Sequence, residues 1–144
     1  MKFTRKADAD WNGGIMDGEG TVKLGSGAFE GAYSFKSRFT EEEQKATNPE
    51  ELIAAALAGC YTMALSGNLG KAGYSPINIH TTAKVKIEKQ DSGFFIPSIE
   101  LVTEAEIDEI EGGEFQKIAE ETKKTCPVSQ VLAGAKISLQ ASLG

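Results

Sequence analysis

The chain has 144 residues, 40% hydrophobic and 25% charged, the make-up of one globular domain large enough to bury a real core. Its net charge of −6, from 21 acids against 15 bases, offers no basic face for phosphate. Nucleic acid and an anionic membrane are therefore not expected as partners. Met1–Asp10 is not followed by the roughly 7–15 apolar residues of a secretory signal. A single domain over residues 1–144, in the cytoplasm, is the expectation.

In chain order, Lys2–Trp11 reads as a strand ended by Asn12-Gly13-Gly14, with Gly18–Leu24 as its hairpin partner, closed by Gly25-Ser26-Gly27. Tyr33–Phe39 alternates aromatic and polar residues and predicts a third, half-buried strand, with Arg38 on the face opposite Phe35. The next signal is a helix start: Asn48 at the N-cap, Pro49 at the first helical position and Glu51 three residues after the cap, a capping-box-like arrangement. This helix should run to about Leu69 and stop near Gly70.

From Leu52 to Leu65 the helix has almost no polar face, so it should be buried on most sides. The apolar run of about 14 residues falls short of the ~20 that cross a bilayer, which favours a core helix. One sheet from a chain this small cannot easily enclose it, so a second subunit is expected to help.

Two long β-prone runs follow, Ile77–Glu88 and Phe94–Ile107, joined around Asp91-Ser92-Gly93 as an antiparallel hairpin. Glu114–Thr125 is an amphipathic helix with Phe115, Ile118 and Ala119 on one side. Pro127–Leu132 reads as a short further helix and Ile137–Leu143 as a closing strand. The class is α+β, with antiparallel strands and one dominant buried helix.

Chemistry centres on two cysteines, Cys60 inside the apolar helix and Cys126 directly before Pro127. A buried helical cysteine can simply act as a small hydrophobe. Cys126, at or near an N-cap, has the setting that favours a thiolate, although a chance loop cysteine would look the same. With two cysteines, the single His80 and no Cys-x-x-Cys or His-x-x-x-His spacing, no metal or cofactor is expected. A reactive Cys60 would need a neighbouring cation. Of the two arginines, Arg5 and Arg38, the latter is the better candidate, against the alternative of an ordinary surface pair.

Asn48-Pro49-Glu50-Glu51-Leu52, Cys60 ten residues after Glu50, and the late Cys126-Pro127-Val128-Ser129-Gln130-Val131-Leu132 together resemble the OsmC/Ohr family. The likeness extends to Ala9-Asp10-Trp11 and the glycine turns behind it. Ser37-Arg38-Phe39 before the helix resembles the OsmC branch; the Ohr branch places its arginine in the first glycine-rich turn, where this chain has Met16-Asp17-Gly18.

The resemblance implies antiparallel sheets wrapped around a long central helix in an intertwined homodimer. It also implies a thiol-dependent peroxidase that reduces organic or lipid hydroperoxides, with a dithiol reductant, possibly of lipoyl type. Carried over by position, Cys60 is the peroxidatic cysteine, Cys126 the resolving cysteine, and Arg38 with Glu50 the polar pair that activates the thiol. Along one helix Glu50 and Cys60 are separated by roughly 15 Å of rise and about 80° of direction. The site is therefore expected to draw Glu50 and Arg38 from one subunit and the cysteines from the other. The alternatives are an apolar-ligand carrier with Cys60 as a lining residue, and a thiol redox sensor with little turnover.

Overall fold

The computed structural model describes residues 1–40 and 45–144. Two compact units make up the chain, Met1–Leu52 and Ile53–Gly144.

The first unit holds an antiparallel sheet of β1 (Ala7–Asn12), β2 (Glu19–Leu24) and β3 (Glu30–Tyr33), in that order. The register sets Gly20 between Trp11 and Tyr33, whose rings lie 5.5 Å apart. A Cβ at Gly20 would strike both rings, so the absent side chain lets two aromatics close over the middle strand.

Two expectations for this unit need correcting. Lys2–Lys6 is not strand: the ladder ends at Ala7 opposite Leu24, and past it the Gly25 N–H donates to the Lys6 carbonyl at 2.9 Å without continuing the pairing. The third strand lies earlier than its alternation predicted, and Lys36–Arg38 is a 3-10 turn. Serine chemistry drives the turn: Ser34 Oγ accepts from the Ser37 amide at 3.1 Å, and the Ser37 hydroxyl donates to the Ser34 carbonyl at 2.7 Å. Helix-like spacing then brings the Phe35 and Phe39 rings to 5.2 Å and sets the Arg38 guanidinium 5.8 Å from the Phe35 ring centre. Arg38 is thus beside Phe35, not on an opposite face.

The dominant helix, α1, spans Pro49–Lys71. Its start is the one expected, with the Glu51 amide donating to Asn48 Oδ1 at 2.8 Å. Glu51 completes the cap through Thr47, whose hydroxyl donates to Oε1 at 2.9 Å, in place of the Asn48 backbone. The end differs from the reading: Gly70 stays helical and Gly73, at φ 94°, is the stop. Gly73 N–H donates to the Gly70 carbonyl and Tyr74 N–H to the Leu69 carbonyl, which is a Schellman closure.

At 23 residues and mean hydropathy 1.4, α1 is longer than its purely apolar stretch and matches a bilayer span by length and composition. Its stripe of Leu57, Tyr61, Leu65 and Leu69 is instead fully buried in a protein core.

That core belongs to the second unit. β4 (Pro76–Val85) pairs antiparallel with β7 (Ser98–Ile107), and the two long predicted runs each break. Pro97, which has no N–H to give a ladder, stands at one break. Before it the chain forms a small hairpin of β5 (Glu88–Gln90) and β6 (Gly93–Phe95) around Asp91-Ser92. α2 (Gly112–Thr125) and α3 (Pro127–Val131) follow where the sequence placed them.

They carry the chain to β8 (Lys136–Leu143), which pairs with β7 in parallel, a pairing that needs such a long connection. The sheet order is β4-β7-β8. Ile99, Leu101 and Ala105 of β7, Phe115 and Ala119 of α2, and Cys126 close the core around the α1 stripe. Tyr61 fastens α1 to α2 by donating to the Ala119 carbonyl at 3.1 Å.

Candidate active site

Within the second unit, Cys60 on α1 and Cys126 at the start of α3 face each other with their sulfur atoms 2.9 Å apart. Both are free thiols, Cys60 half-buried and Cys126 fully buried. The local reasons are plain. Cys60 is adjacent to Tyr61 and three residues after Leu57 on the helix stripe that enters the core. Cys126 closes α2, where its N–H donates to the Thr122 carbonyl at 2.9 Å, and is the N-cap residue of α3, whose first residue is Pro127.

The two sulfurs do not share charge equally. Burial pushes the Cys60 thiol up from 9.0, and so do its hydrogen bond with Cys126 and the negative charge that sulfur can carry; the Val128 N–H opposes them. Burial also acts against a Cys126 thiolate, but Cys60 as donor and the N–H groups of Ser129 and Val128 at the start of α3 outweigh it and hold the Cys126 thiol below 9.0. Either thiol could in principle donate across the 2.9 Å contact. The N–H groups of Val128 and Ser129 at the start of α3 favour charge on Cys126, which makes it the acceptor when one proton is shared.

Within the first unit, Arg38 Nε donates to Glu50 Oε2 at 3.0 Å. The side chains are 24% and 11% exposed, which puts this ion pair well above the surface class in which such contacts contribute little. A polar staple fixes the turn against the helix start. The Ser37 hydroxyl donates to the Thr47 carbonyl at 2.7 Å, and Asn48 Nδ2 donates to the Ser37 carbonyl at 3.0 Å. Thr47 in turn donates its N–H to the Ala32 carbonyl at 2.8 Å and forms a parallel bridge with Tyr33.

Asn48 therefore does two jobs: its oxygen caps α1 and its amide nitrogen holds the Arg38 turn. Beside Arg38 lies a hollow of about 200 Å³, lined by Trp11, Ile15, Tyr33, Phe35 and Pro49.

All four residues singled out from sequence thus occur in two close pairs, Cys60 with Cys126 and Arg38 with Glu50. Sequence reasoning quoted Ser37 and Ser129 within the family-like motifs but gave neither a role of its own. The serine pair three apart, Ser34 and Ser37, was the available signal for a turn. His80 is exposed on β4.

The model of the family described as OsmC-like protein matches residues 42–141 of this chain. The chain belongs to the OsmC family. It is 46% identical over 144 residues to the Escherichia coli K12 protein named Peroxiredoxin OsmC, with 99% of each chain covered. Among solved structures, an organic hydroperoxide resistance protein from Elizabethkingia anophelis superposes with a TM-score of 0.74 at 26% identity, covering 100% of this chain and 99% of the other. An OsmC-like protein from Mycoplasma pneumoniae reaches a TM-score of 0.80 at 16% identity, covering 99% of both, and speaks for the fold. The OsmC-family fold is thus the one expected: antiparallel strands in separate sheets and one long helix, α1, that runs from the first unit into the second.

Proposed function

We propose that this OsmC-family chain is a two-cysteine peroxidase that reduces organic hydroperoxides to alcohols. The observation that carries the reading is the pair of free thiols 2.9 Å apart, one half-buried and one at a helix start. The names of its relatives, Peroxiredoxin OsmC and an organic hydroperoxide resistance protein, support the same chemistry.

In the proposed cycle the Cys60 thiolate attacks the distal peroxide oxygen. The O–O bond breaks, the alcohol leaves with a proton, and Cys60 becomes a sulfenic acid. Cys126 then attacks the Cys60 sulfur as a thiolate, and the departing hydroxide takes a proton to leave as water. The resulting Cys60–Cys126 disulfide is reduced by an external dithiol, for which the family resemblance points to a lipoyl type. A reducing compartment such as the cytoplasm suits this cycle.

The groups in the second unit that hold Cys60 up leave its activation to a cation. We assign that role to Arg38, kept in place by Glu50, with the guanidinium also stabilising charge that builds on the peroxide oxygens. The assignment takes Arg38 and Glu50 from one subunit of a homodimer and the cysteines from the other, since Glu50 and Cys60 stand about three turns apart on one helix.

The outward side of α1 favours a second copy of the chain. Met63 is 75% exposed, and a Cβ added at Gly59 or Gly67 would meet nothing within 4 Å. Small residues on that side permit close approach of another helix. The apolar hollow beside Arg38 would take the organic substituent of the peroxide, which makes hydrogen peroxide the poorer substrate.

The test is consumption of cumene hydroperoxide in the presence of a dithiol. Wild-type protein should turn over and Cys60→Ser should not. Full activity in the variant rules Cys60 out as nucleophile, and an inactive wild type leaves a ligand carrier or redox sensor.

A further inference from the structure

Among the described residues, Ser129 Oγ is the buried side-chain polar atom that has no hydrogen-bond partner. Such a group costs free energy unless some state of the protein gives it an acceptor. Ser129 is 4% exposed and sits three residues after Cys126, on the first turn of α3. One turn back, at the N-cap of α3, is Cys126, whose sulfur as a thiolate is favoured by the Ser129 side chain and by the Val128 and Ser129 N–H groups of that first turn. A neutral thiol is a weak acceptor and a disulfide sulfur is no better. A thiolate is a strong one.

We propose that Ser129 is a positioning residue for Cys126, its hydroxyl donating a hydrogen bond to the Cys126 thiolate as that sulfur leaves the Cys60–Cys126 disulfide. The proposal rests on the two-cysteine reading. When a dithiol reduces the disulfide, its thiolate attacks one sulfur and the other must leave with the electron pair. Exposure selects Cys60 as the sulfur attacked, because it is half-exposed while Cys126 is fully buried.

The Cys60–Cys126 bond breaks, a mixed disulfide forms between the reductant and Cys60, and Cys126 receives the electron pair. The reductant's second thiol then displaces Cys60 as thiolate and closes the oxidised dithiol. Leaving is faster for the sulfur whose thiolate is better stabilised. Ser129 and the two amides supply that stabilisation at Cys126, so exposure and charge direct attack to the same sulfur.

Two measurements test this. In the first, Cys60→Ala leaves Cys126 as the sole thiol, and its ultraviolet thiolate absorbance is titrated with Ser, Ala or Thr at position 129. Ser129→Ala should move the titration to higher pH and Ser129→Thr should restore it. Coincident curves for Ser and Ala overturn the proposal.

In the second, pre-oxidised protein is reduced with dithiothreitol. Ser129→Ala should slow disulfide opening roughly threefold, about half of the tenfold effect of one charged hydrogen bond on a logarithmic scale. An unchanged rate overturns the leaving-group role. The dithiol form of Ser129→Ala should melt no lower than wild type, because the oxygen removed has no partner there. If the titration shifts but wild type never forms the disulfide, the thiolate hydrogen bond stands, while the leaving-group role and the two-cysteine reading both fall.

Discussion

Around Cys60 and Cys126 the second unit is built from apolar side chains: Leu57, Tyr61, Leu65, Phe115 and Ala119 bury the helix stripe and one of the sulfurs completely. In the first unit Arg38 and Glu50 are held by hydrogen bonds through Ser37, Thr47 and Asn48, on a turn that remains partly open to water. The difference matches the chemistry each pair carries. A thiol pair tolerates an apolar wall, and the Cys60 thiol together with backbone amides of α3 favours charge on one sulfur. A guanidinium and a carboxylate need polar partners on every side, and a 3-10 turn with serine hydroxyls supplies them where a strand edge would not.

Substitutions can break this contrast. Leu65→Ala should produce the largest effect, a loss of about 2–5 kcal/mol of stability from the cavity opened in the second unit's core. Denaturant unfolding measures it, and a loss of a few tenths would mean that the stripe is not packed as described. Arg38→Lys should leave the melting temperature nearly unchanged and lower the peroxide rate about 10²-fold, since a lysine cannot reproduce the guanidinium's planar donor set. Steady-state kinetics decide it: a near-normal rate would remove Arg38 from the site.

Asn48→Ala lies between the two. It removes the α1 cap at a cost of about 0.5–2 kcal/mol and also frees the Arg38 turn, so activity and stability should fall together. Stability loss without any change in rate would mean the staple does not position Arg38.

The smallest effect is in pH dependence. Burial, then the negative charges of Glu120 and Cys126, push the Tyr61 phenol well above its ordinary 10.0. Folding favours the neutral phenol, so this contribution is fully present below pH 10.0 and is lost as pH rises beyond it. Stability should decline above that pH, and Tyr61→Phe should make the decline shallower, with about 1 kcal/mol lost at neutral pH for the missing bond to Ala119. Chemical denaturation along an alkaline pH series distinguishes the two variants.

Much of this was legible from local chemistry. Asn48-Pro49 and Glu51 marked the start of α1, and Cys126-Pro127 marked the cap of α3, because capping depends on neighbours a few residues away. Phe115, Ile118 and Ala119 marked the inner side of α2 for the same reason. Other features depend on partners far along the chain. The alternation from Tyr33 to Phe39 imitated a strand, yet Ser34 and Ser37 satisfied each other locally and β3 ended before them.

Gly70 looked like a helix stop, but nothing opposes its place in the helix, and the closing bonds reach Gly73 and Tyr74. The parallel pairing of β8 with β7 has no local signature at all. Glu50 was separated from Glu51 correctly as the acid free of the cap, and its contact with Arg38 needed the turn that the alternation concealed.

The central claim is that Cys60 and Cys126 act as one redox pair. Its most direct test is non-reducing peptide mapping by mass spectrometry after one equivalent of cumene hydroperoxide. The account predicts a linked peptide pair joining Cys60 to Cys126 within one chain, which disappears on addition of a dithiol. Cys60 recovered as sulfenic or sulfinic acid with Cys126 still a free thiol would contradict it.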